Sequence, residues 1–274
     1  MNDQELIKAA LAEDLAGGVD ITSQATIAAD ATATADFIAR TDGVIAGINI
    51  AHAVLAEVGL TDVTLSKKDG DQVKAGDLLI TVRGNTRAIL LAERTALNFF
   101  GHLSGIATLT SKWVAEVSGT KCQVRDTRKT TPGMRTIEKY AVRMGGGTNH
   151  RMNLSAAALI KDNHIAAAGG VVAAFAQVRA AYPEAEIEIE VDTLEQLKDV
   201  LAQKPDLVLL DNMSPEKCAE AVALVNGLCK LEASGGISIT NARAYAQSGV
   251  DYIAIGALTH SAPVFDIGLD LRAE

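Results

Sequence analysis

The sequence predicts an α/β protein in two parts, an N-terminal α+β domain followed by a closed or nearly closed α/β barrel. Three observations predict it. The chain has 274 residues, 48% of them apolar, enough for one barrel-sized domain and a smaller one. From about residue 121, short apolar runs alternate with helical segments, and strands separated by helices pair in parallel through right-handed crossovers. Charged residues (Arg128 and Lys129, Lys161, Glu190 and Asp192, Asp211, Glu232 with Ser234) fall at or just past the ends of successive predicted strands. Barrels carry their sites on that rim, which favours a barrel over a doubly wound sheet.

Taken in order, residues 1 to about 120 open with a short helix. Strand-like runs follow at 32–40, 43–50, 62–67 and 78–83, punctuated by Asp42-Gly43, Asp69-Gly70 and Gly76. From Asn85 to about Val117 the pattern is helical and apolar, with a break expected near Gly101 or Gly105. Beyond it, CQVRDT, LSAAALIKD, EIEIEVD, LVLLDN, CKLEAS and YIAIG read as strands, with helices near 134–144, 168–182, 193–203, 214–226 and 240–248. The expected division is 1–120 for the N-terminal domain with its connecting helices, 121–261 for the barrel with the active site, and 262–274 for a tail returning to the N-terminal domain.

The formal net charge of −9 argues against a protein that lives on nucleic acid or anionic membrane. Between Lys121 and Lys161, however, nine basic residues face only Asp126 and Glu138, so that segment is +7 and the remainder −16. A basic island in an acidic chain suits a small, highly anionic ligand; a solvated helix face could absorb Arg135, Lys139 and Arg143, whose spacing is helical. No run of apolar residues is long enough to span a membrane, and the acidic, amphipathic N-terminus is unlike a signal peptide, so a cytoplasmic protein is expected. Cys122, Cys218 and Cys229 have no metal-ligand spacing and read as ordinary thiols.

Asp126-Thr-Arg-Lys-Thr-Thr-Pro-Gly-Met-Arg135 sets Arg128 and Lys129 between a strand and a Pro-Gly turn. An arginine fork matches a carboxylate bidentately, while lysine supplies a mobile point charge. Gly145-Gly-Gly-Thr-Asn-His-Arg151 lets backbone approach a ligand just before His150 and Arg151, and Lys161 follows a wholly apolar strand, so its ammonium must snorkel or meet an anion. Glu186, Glu188 and Glu190 share one strand face, and Asp211 repeats an acidic strand end one strand on; Glu190 and Asp211 together could hold Mg²⁺ and a ribose diphosphate. Ser234-Gly235-Gly236 and Ile255-Gly256-Ala-Leu-Thr-His260-Ser261 place small residues after the last two strands, where barrels cradle phosphate. Arg94, Asn98 and His102 form a polar stripe at i, i+4 and i+8 that needs an internal partner or another subunit.

Together with Arg94-Thr-Ala-Leu-Asn98, the stretches DTRKTTPGMR, GGGTNHRMNLSAAALIKDNHI, the glutamate strand, LLDN, EASGGI and IGALTHS resemble the quinolinate phosphoribosyltransferase family, over nearly the whole chain. The resemblance implies an N-terminal open sandwich with a seven-stranded α/β barrel. It implies a homodimeric pentosyltransferase converting quinolinate and phosphoribosyl pyrophosphate to nicotinate mononucleotide, pyrophosphate and carbon dioxide, with Mg²⁺, in de novo NAD biosynthesis. Arg128, His150, Arg151 and Lys161 would surround the quinolinate carboxylates, Lys129 would face substrate or pyrophosphate, and Arg94 would come from the neighbouring subunit. Glu190 and Asp211 would reach ribose hydroxyls and Mg²⁺; Ser234, Gly235, Gly236, Gly256 and His260 would form the 5-phosphate region. Catalysis is expected to be electrostatic positioning by Lys129, Lys161, Glu190 and Asp211, with proton handling assigned to Lys161 or His150.

Three rivals have distinct signatures. A sister phosphoribosyltransferase would use another acceptor, such as nicotinate. A biotinyl or lipoyl carrier is suggested by Lys67-Lys-Asp-Gly-Asp-Gln-Val-Lys-Ala-Gly-Asp-Leu-Leu, but no modification tip accompanies it and the segment is expected to be a structural hairpin. An aldolase-like barrel would form a Schiff base on Lys161, a role disfavoured by the surrounding arginines.

Overall fold

A computed structural model describes residues 2–273. The chain begins with α1 (Asp3–Leu15), α2 (Ile21–Thr26), β1 (Thr32–Ala39), β2 (Gly43–Val44), α3 (Ile48–Glu57), β3 (Asp62–Leu65), β4 (Gln72–Val73), β5 (Leu78–Asn85) and α4 (Thr86–Val117). Then follow β6 (Gln123–Arg125), α5 (Arg135–Met144), β7 (Ala158–Ile160), α6 (Asp162–Ala168), α7 (Val171–Ala181), β8 (Ile187–Val191), α8 (Leu194–Leu201) and β9 (Leu207–Asp211). The remainder is α9 (Pro215–Val225), β10 (Lys230–Ser234), α10 (Ala242–Gln247), β11 (Tyr252–Ala254), α11 (Ala257–His260) and β12 (Ile267–Ala273). Two compact units result: one runs to Ser111 and takes in Thr131–Gly146 and the chain from Leu258; the other holds Lys112–Thr130 and Gly147–Ala257.

In the first unit an antiparallel sheet has the order β12-β1-β5-β3. Its alternating pattern buries Ala33, Ala35, Phe37 and Ala39 of β1, and the tail strand β12 pairs with β1 from Ala33↔Ala273 to Ala39↔Ile267. The strand expected over 43–50 is cut to two residues. Gly47, at φ 91°, turns the chain, and Asp69 Oδ1 accepts from the Ile48 amide at 2.9 Å, so α3 starts there with a cap supplied from 21 residues away. The 67–77 segment is two tight turns, not a self-paired hairpin, because β4 pairs with β2.

Helix α4 runs unbroken through Gly101 and Gly105. Both glycines are packing positions: a Cβ at Gly105 would lie 2.1 Å from the Pro263 carbonyl oxygen, and one at Gly101 2.8 Å from that of Phe265. Helix α5 groups with this unit although it lies beyond residue 120, because its buried Glu138 accepts from His102 of α4 at 2.9 Å and from the Thr131 amide at 3.0 Å. That gives the last member of the Arg94-Asn98-His102 stripe an internal partner. The solvated face offered for Arg135, Lys139 and Arg143 holds only in part, since Lys139 is fully buried while Arg143 is exposed.

The second unit is barrel-like: a six-stranded parallel sheet, order β6-β11-β10-β9-β8-β7, with α7, α8, α9 and α10 on the connections. A parallel bridge, Arg125↔Thr148, sets one residue of a further segment beside β6 in place of the seventh strand expected. All five residues of β8 and the first four of β9 are buried, as continuous apolar strands require when both faces are covered. Because every strand is parallel, their C-terminal ends share one edge.

Candidate active site

Two loops at that edge carry the cations. Asp126, the residue after β6, is fully buried and accepts from the His150 amide at 2.8 Å and from the Asn149 side-chain amide. Its own N–H donates to the Thr148 carbonyl at 3.2 Å, so one carboxylate and one peptide join the loop leading to Arg128 with the loop bearing His150 and Arg151. Arg151 is oriented by donating from Nη1 to the Ala157 carbonyl at 2.8 Å. Burial holds its pKa down, and the charge of Arg128 lowers it further against the opposing pull of Glu188. Lys161, exposed after β7, donates its amide to His164 Nδ1 at 3.0 Å, and its Nζ stands 3.4 Å from Glu190. Arg128 is half-buried and Lys129 exposed.

Beneath these cations lies a buried polar layer. His150 Nε2 is 2.6 Å from Glu188 and 3.6 Å from Glu232; Arg125 donates to Glu232 at 2.9 Å and stacks 3.8 Å over the Tyr252 ring. Desolvation, first of all, pushes both carboxyls to about 7, with the charge of Glu188 adding to the effect on Glu232. His150, Glu188 and Glu232 offer three ligand atoms within 4.8 Å of one another. The 2.6 Å separation is a hydrogen bond, and Arg125 already supplies a positive charge, so the group reads as a proton-sharing network. A stability consequence follows for Glu232. With its folded pKa raised from 4.5 to about 7, it favours folding fully below about pH 4.5 and loses that contribution as pH rises through about 7. Thermal midpoints are therefore expected to fall between about pH 5 and 8, and Glu232→Gln to flatten that slope; an unchanged slope in the variant would assign the dependence elsewhere.

The acidic side of the edge is built by β8 and β9. Glu190 is buried within β8, not on the rim, and so is Glu232 within β10, since each sits two or more residues before its strand runs out into loop. Asp211 ends β9, half-buried; burial and then the charges of Glu190 and Asp192 raise its pKa. Next to it Gly235, at φ 84°, lies so close to Asn212 that a Cβ would meet the amide oxygen at 2.1 Å, which fixes the Ser234-Gly235-Gly236 turn against the end of β9. Gly256, half-buried, follows β11.

Thus Arg128, His150, Arg151, Lys161, Glu190, Asp211, Ser234, Gly235, Gly236 and Gly256 share the second unit, with Lys129, while Arg94 and His260, both exposed, belong to the first. Arg125, Asp126 and Glu188 were given no role from sequence, and Glu232 was placed only among the charged residues at the strand ends. A signal existed for Glu188, which shares the Glu190 face of its strand; Arg125 and Glu232 are 107 residues apart and meet only through the sheet order. A cavity of about 830 Å³ along β7, α6 and α7 has a mainly apolar wall that includes Leu159, Ile160, Val178 and Tyr182, with Arg151 and His164 also on its lining. No single helix among the described residues is long and apolar enough to cross a membrane.

Residues 20–104 match the family model described as quinolinate phosphoribosyl transferase, N-terminal domain, and residues 106–270 match its C-terminal domain. A carboxylating nicotinate-nucleotide pyrophosphorylase of Mycobacterium leprae is 51% identical over 274 residues, spanning 98% of this chain and 96% of the relative. Its chloroplastic namesake in Arabidopsis thaliana is 40% identical over 98% of this chain and 82% of its own. The solved nicotinate-nucleotide pyrophosphorylase from Ehrlichia chaffeensis aligns with a TM-score of 0.95 at 40% identity, covering 99% of each chain. Human nicotinic acid phosphoribosyltransferase, 14% identical with a TM-score of 0.64 over 96% of this chain and 73% of that one, shares the fold. With residues 20–104 and 106–270 matched by the family's two domain models and a relative 51% identical over 98% of this chain, the chain belongs to the quinolinate phosphoribosyltransferase family.

Proposed function

We propose that this protein joins quinolinate to phosphoribosyl pyrophosphate, releasing pyrophosphate and carbon dioxide and yielding nicotinate mononucleotide for NAD biosynthesis. One observation carries the reading: Arg128 and Arg151 stand close enough for one charge to depress the pKa of the other, opposite an acidic strand edge. Like charges gathered this way are stabilised by a dianion, and a two-carboxylate pyridine presents a group to each fork. Arg128 and Arg151 take the carboxylates with Lys161, while Lys129 faces the pyrophosphate. Ser234, Gly235, Gly236 and Gly256 take the 5-phosphate, a role supported by the close, glycine-only approach at Gly235.

Glu190 and Asp211 are the residues that would hold Mg²⁺ and the ribose hydroxyls. Their fit rests on Asp211, whose pKa is raised by burial and by two neighbouring carboxylates: crowded hard oxygen donors suit a cation that accepts one or two carboxylates and completes its shell with substrate phosphates. Bound there, Mg²⁺ supplies positive charge to the departing pyrophosphate. The protein positions the ring nitrogen against the anomeric carbon; as the nitrogen–carbon bond forms, the carbon–oxygen bond to pyrophosphate breaks, and the carboxylates of Glu190 and Asp211 favour the cationic sugar. The ribosylated nitrogen then accepts the electrons released when the adjacent carboxylate leaves. Release of labelled carbon dioxide from quinolinate, dependent on phosphoribosyl pyrophosphate and Mg²⁺, tests the reading; brisk nicotinate turnover without it would reject it.

The active unit is inferred to be a homodimer in which Arg94 completes the neighbouring subunit's site, supported by its exposure on α4. Mixing inactive Arg94→Ala and Arg151→Ala dimers, then allowing exchange, is expected to restore about a quarter of wild-type activity, because half the dimers become mixed and each regains one intact site. No recovery after demonstrated exchange would place Arg94 in its own subunit's site or in none. Three free cysteines suit the reducing cytoplasm.

A further inference from the structure

We propose that Asn212 is a positioning residue for the phosphoribosyl substrate: one side chain that aims the Asp211 carboxylate and props the Ser234-Gly235-Gly236 turn. This deepens the function proposed above and rests on it. Asn212 directly follows β9 at φ 51°, in the left-handed region that residues other than glycine, asparagine and aspartate rarely enter. Four non-glycine residues among those described have positive φ. Ala16 and Asn226 end α1 and α9, and Lys204 lies in the loop after α8. Asn212 is the one of the four that leaves a strand at the catalytic edge. Strain of this kind persists where the surroundings hold it. Here the Asn212 N–H donates to the Ser234 carbonyl at 2.8 Å, tying the end of β9 to the end of β10. One residue on, the carbonyl of the buried Met213 accepts from the Tyr245 hydroxyl at 3.0 Å.

With the chain pinned on both sides, the side-chain amide is delivered to one place, and its two ends are unlike. Nδ2 donates to Asp211 Oδ2 at 2.6 Å; a carboxylate only accepts, so the nitrogen end belongs there. The oxygen end is left to face Gly235, where a Cβ would come within 2.1 Å of Oδ1 and 2.7 Å of Cγ. The far side of the turn is held separately, by the Asn241 side chain donating to the Gly236 carbonyl at 3.2 Å. A Cβ built on Gly236 meets nothing within 4 Å, so that side of the turn is open. One amide therefore stands between the carboxylate assigned to the ribose and the turn assigned to the 5-phosphate, the two ends of a single ligand. Its bond to Oδ2 fixes the carboxylate plane and leaves Oδ1 to meet the sugar. Quinolinate is taken by Arg128, Arg151 and Lys161, on other loops, so its binding serves as an internal control.

The test uses the whole enzyme and two variants, with nicotinate mononucleotide and quinolinate as calorimetric ligands and the KM of each substrate alongside. Nicotinate mononucleotide carries both the ribose hydroxyls and the 5-phosphate. Asn212→Gly removes the amide and keeps the left-handed backbone without strain; Asn212→Ala removes the same amide and puts a Cβ at positive φ. Asn212→Gly is expected to melt within about 1 °C of its parent, and Asn212→Ala about 4 °C lower. Both should bind nicotinate mononucleotide about tenfold more weakly and raise the phosphoribosyl pyrophosphate KM by a similar factor, the size of one lost hydrogen bond to a charged group. The quinolinate Kd should stay within about twofold, since no quinolinate contact is removed. A loss confined to Asn212→Ala, in step with its melting, would overturn the proposal and leave the residue only its backbone turn. Equal weakening of both ligands, or no weakening in Asn212→Gly, would overturn it too. Should Asn212→Ala fail to fold, Asn212→Gly decides alone. The function is judged on the wild type: absence of carbon dioxide release and of nicotinate mononucleotide binding would sink it and this assignment together. Wild-type turnover with unaffected variants would sink the assignment only.

Discussion

Arg151→Ala is expected to lower kcat/KM for quinolinate about a thousandfold, through the loss of two charge-assisted contacts of about 1.5–3 kcal/mol each. The side chain is half-buried, its Nη1 is fixed on the Ala157 carbonyl, and Arg128 is near enough to weigh on its protonation. Removing it leaves Arg128 and Lys161 to hold two carboxylates without the one fork whose direction is set by the backbone. Arg151→Lys should recover little, because an ammonium cannot bridge two oxygens in a plane and would not reproduce the bond to Ala157. The phosphoribosyl pyrophosphate KM should move less than about threefold if that ligand lies along the acidic edge and the Gly235 turn. Steady-state kinetics with both substrates varied checks this; equal rises in the two KM values would mean that Arg151 organises the whole loop and is not a quinolinate contact.

Much of the catalytic half was legible because its strands obey simple periodicities. The wholly apolar runs became buried parallel strands, and the Glu-Ile-Glu-Ile-Glu alternation put Glu188 and Glu190 on one covered face. Helices α8 and α9, expected near 193–203 and 214–226, start just after Thr193 and Ser214, whose hydroxyls accept from the amides of Gln196 and Lys217. What failed was information held at a distance. The helix at Ile48 was hidden because its cap is Asp69. The buried layer under the cations was hidden for the same reason: the pairing of Arg125 with Glu232 appears only when the sheet order places β6 and β10 on either side of β11, with Tyr252 between them.

The misjudged break in α4 leads to the second large effect, on folding. Read locally, Gly105 weakens a helix by about 1 kcal/mol, so Gly105→Ala should stabilise it. The structure reverses the sign. The new Cβ would lie 2.1 Å from the Pro263 carbonyl oxygen, 3.1 Å from its carbonyl carbon and 3.3 Å from the Phe265 amide nitrogen, all backbone atoms with no rotamer to give way. That stretch is also pinned by the Phe265 amide donating to the Gly101 carbonyl at 2.9 Å. It leads directly into β12, whose register against β1 extends over seven residue pairs, so a shift cannot be absorbed in a free end. Overpacking against fixed backbone is expected to cost about 3 kcal/mol or more, net of the gain in helix propensity. Lys112→Ala, on the exposed side of the same helix, should change stability by less than about 0.5 kcal/mol. Denaturant melts of both variants check the pair: a Gly105→Ala protein as stable as its parent would show that α4 and the 263–265 segment are not packed backbone to backbone.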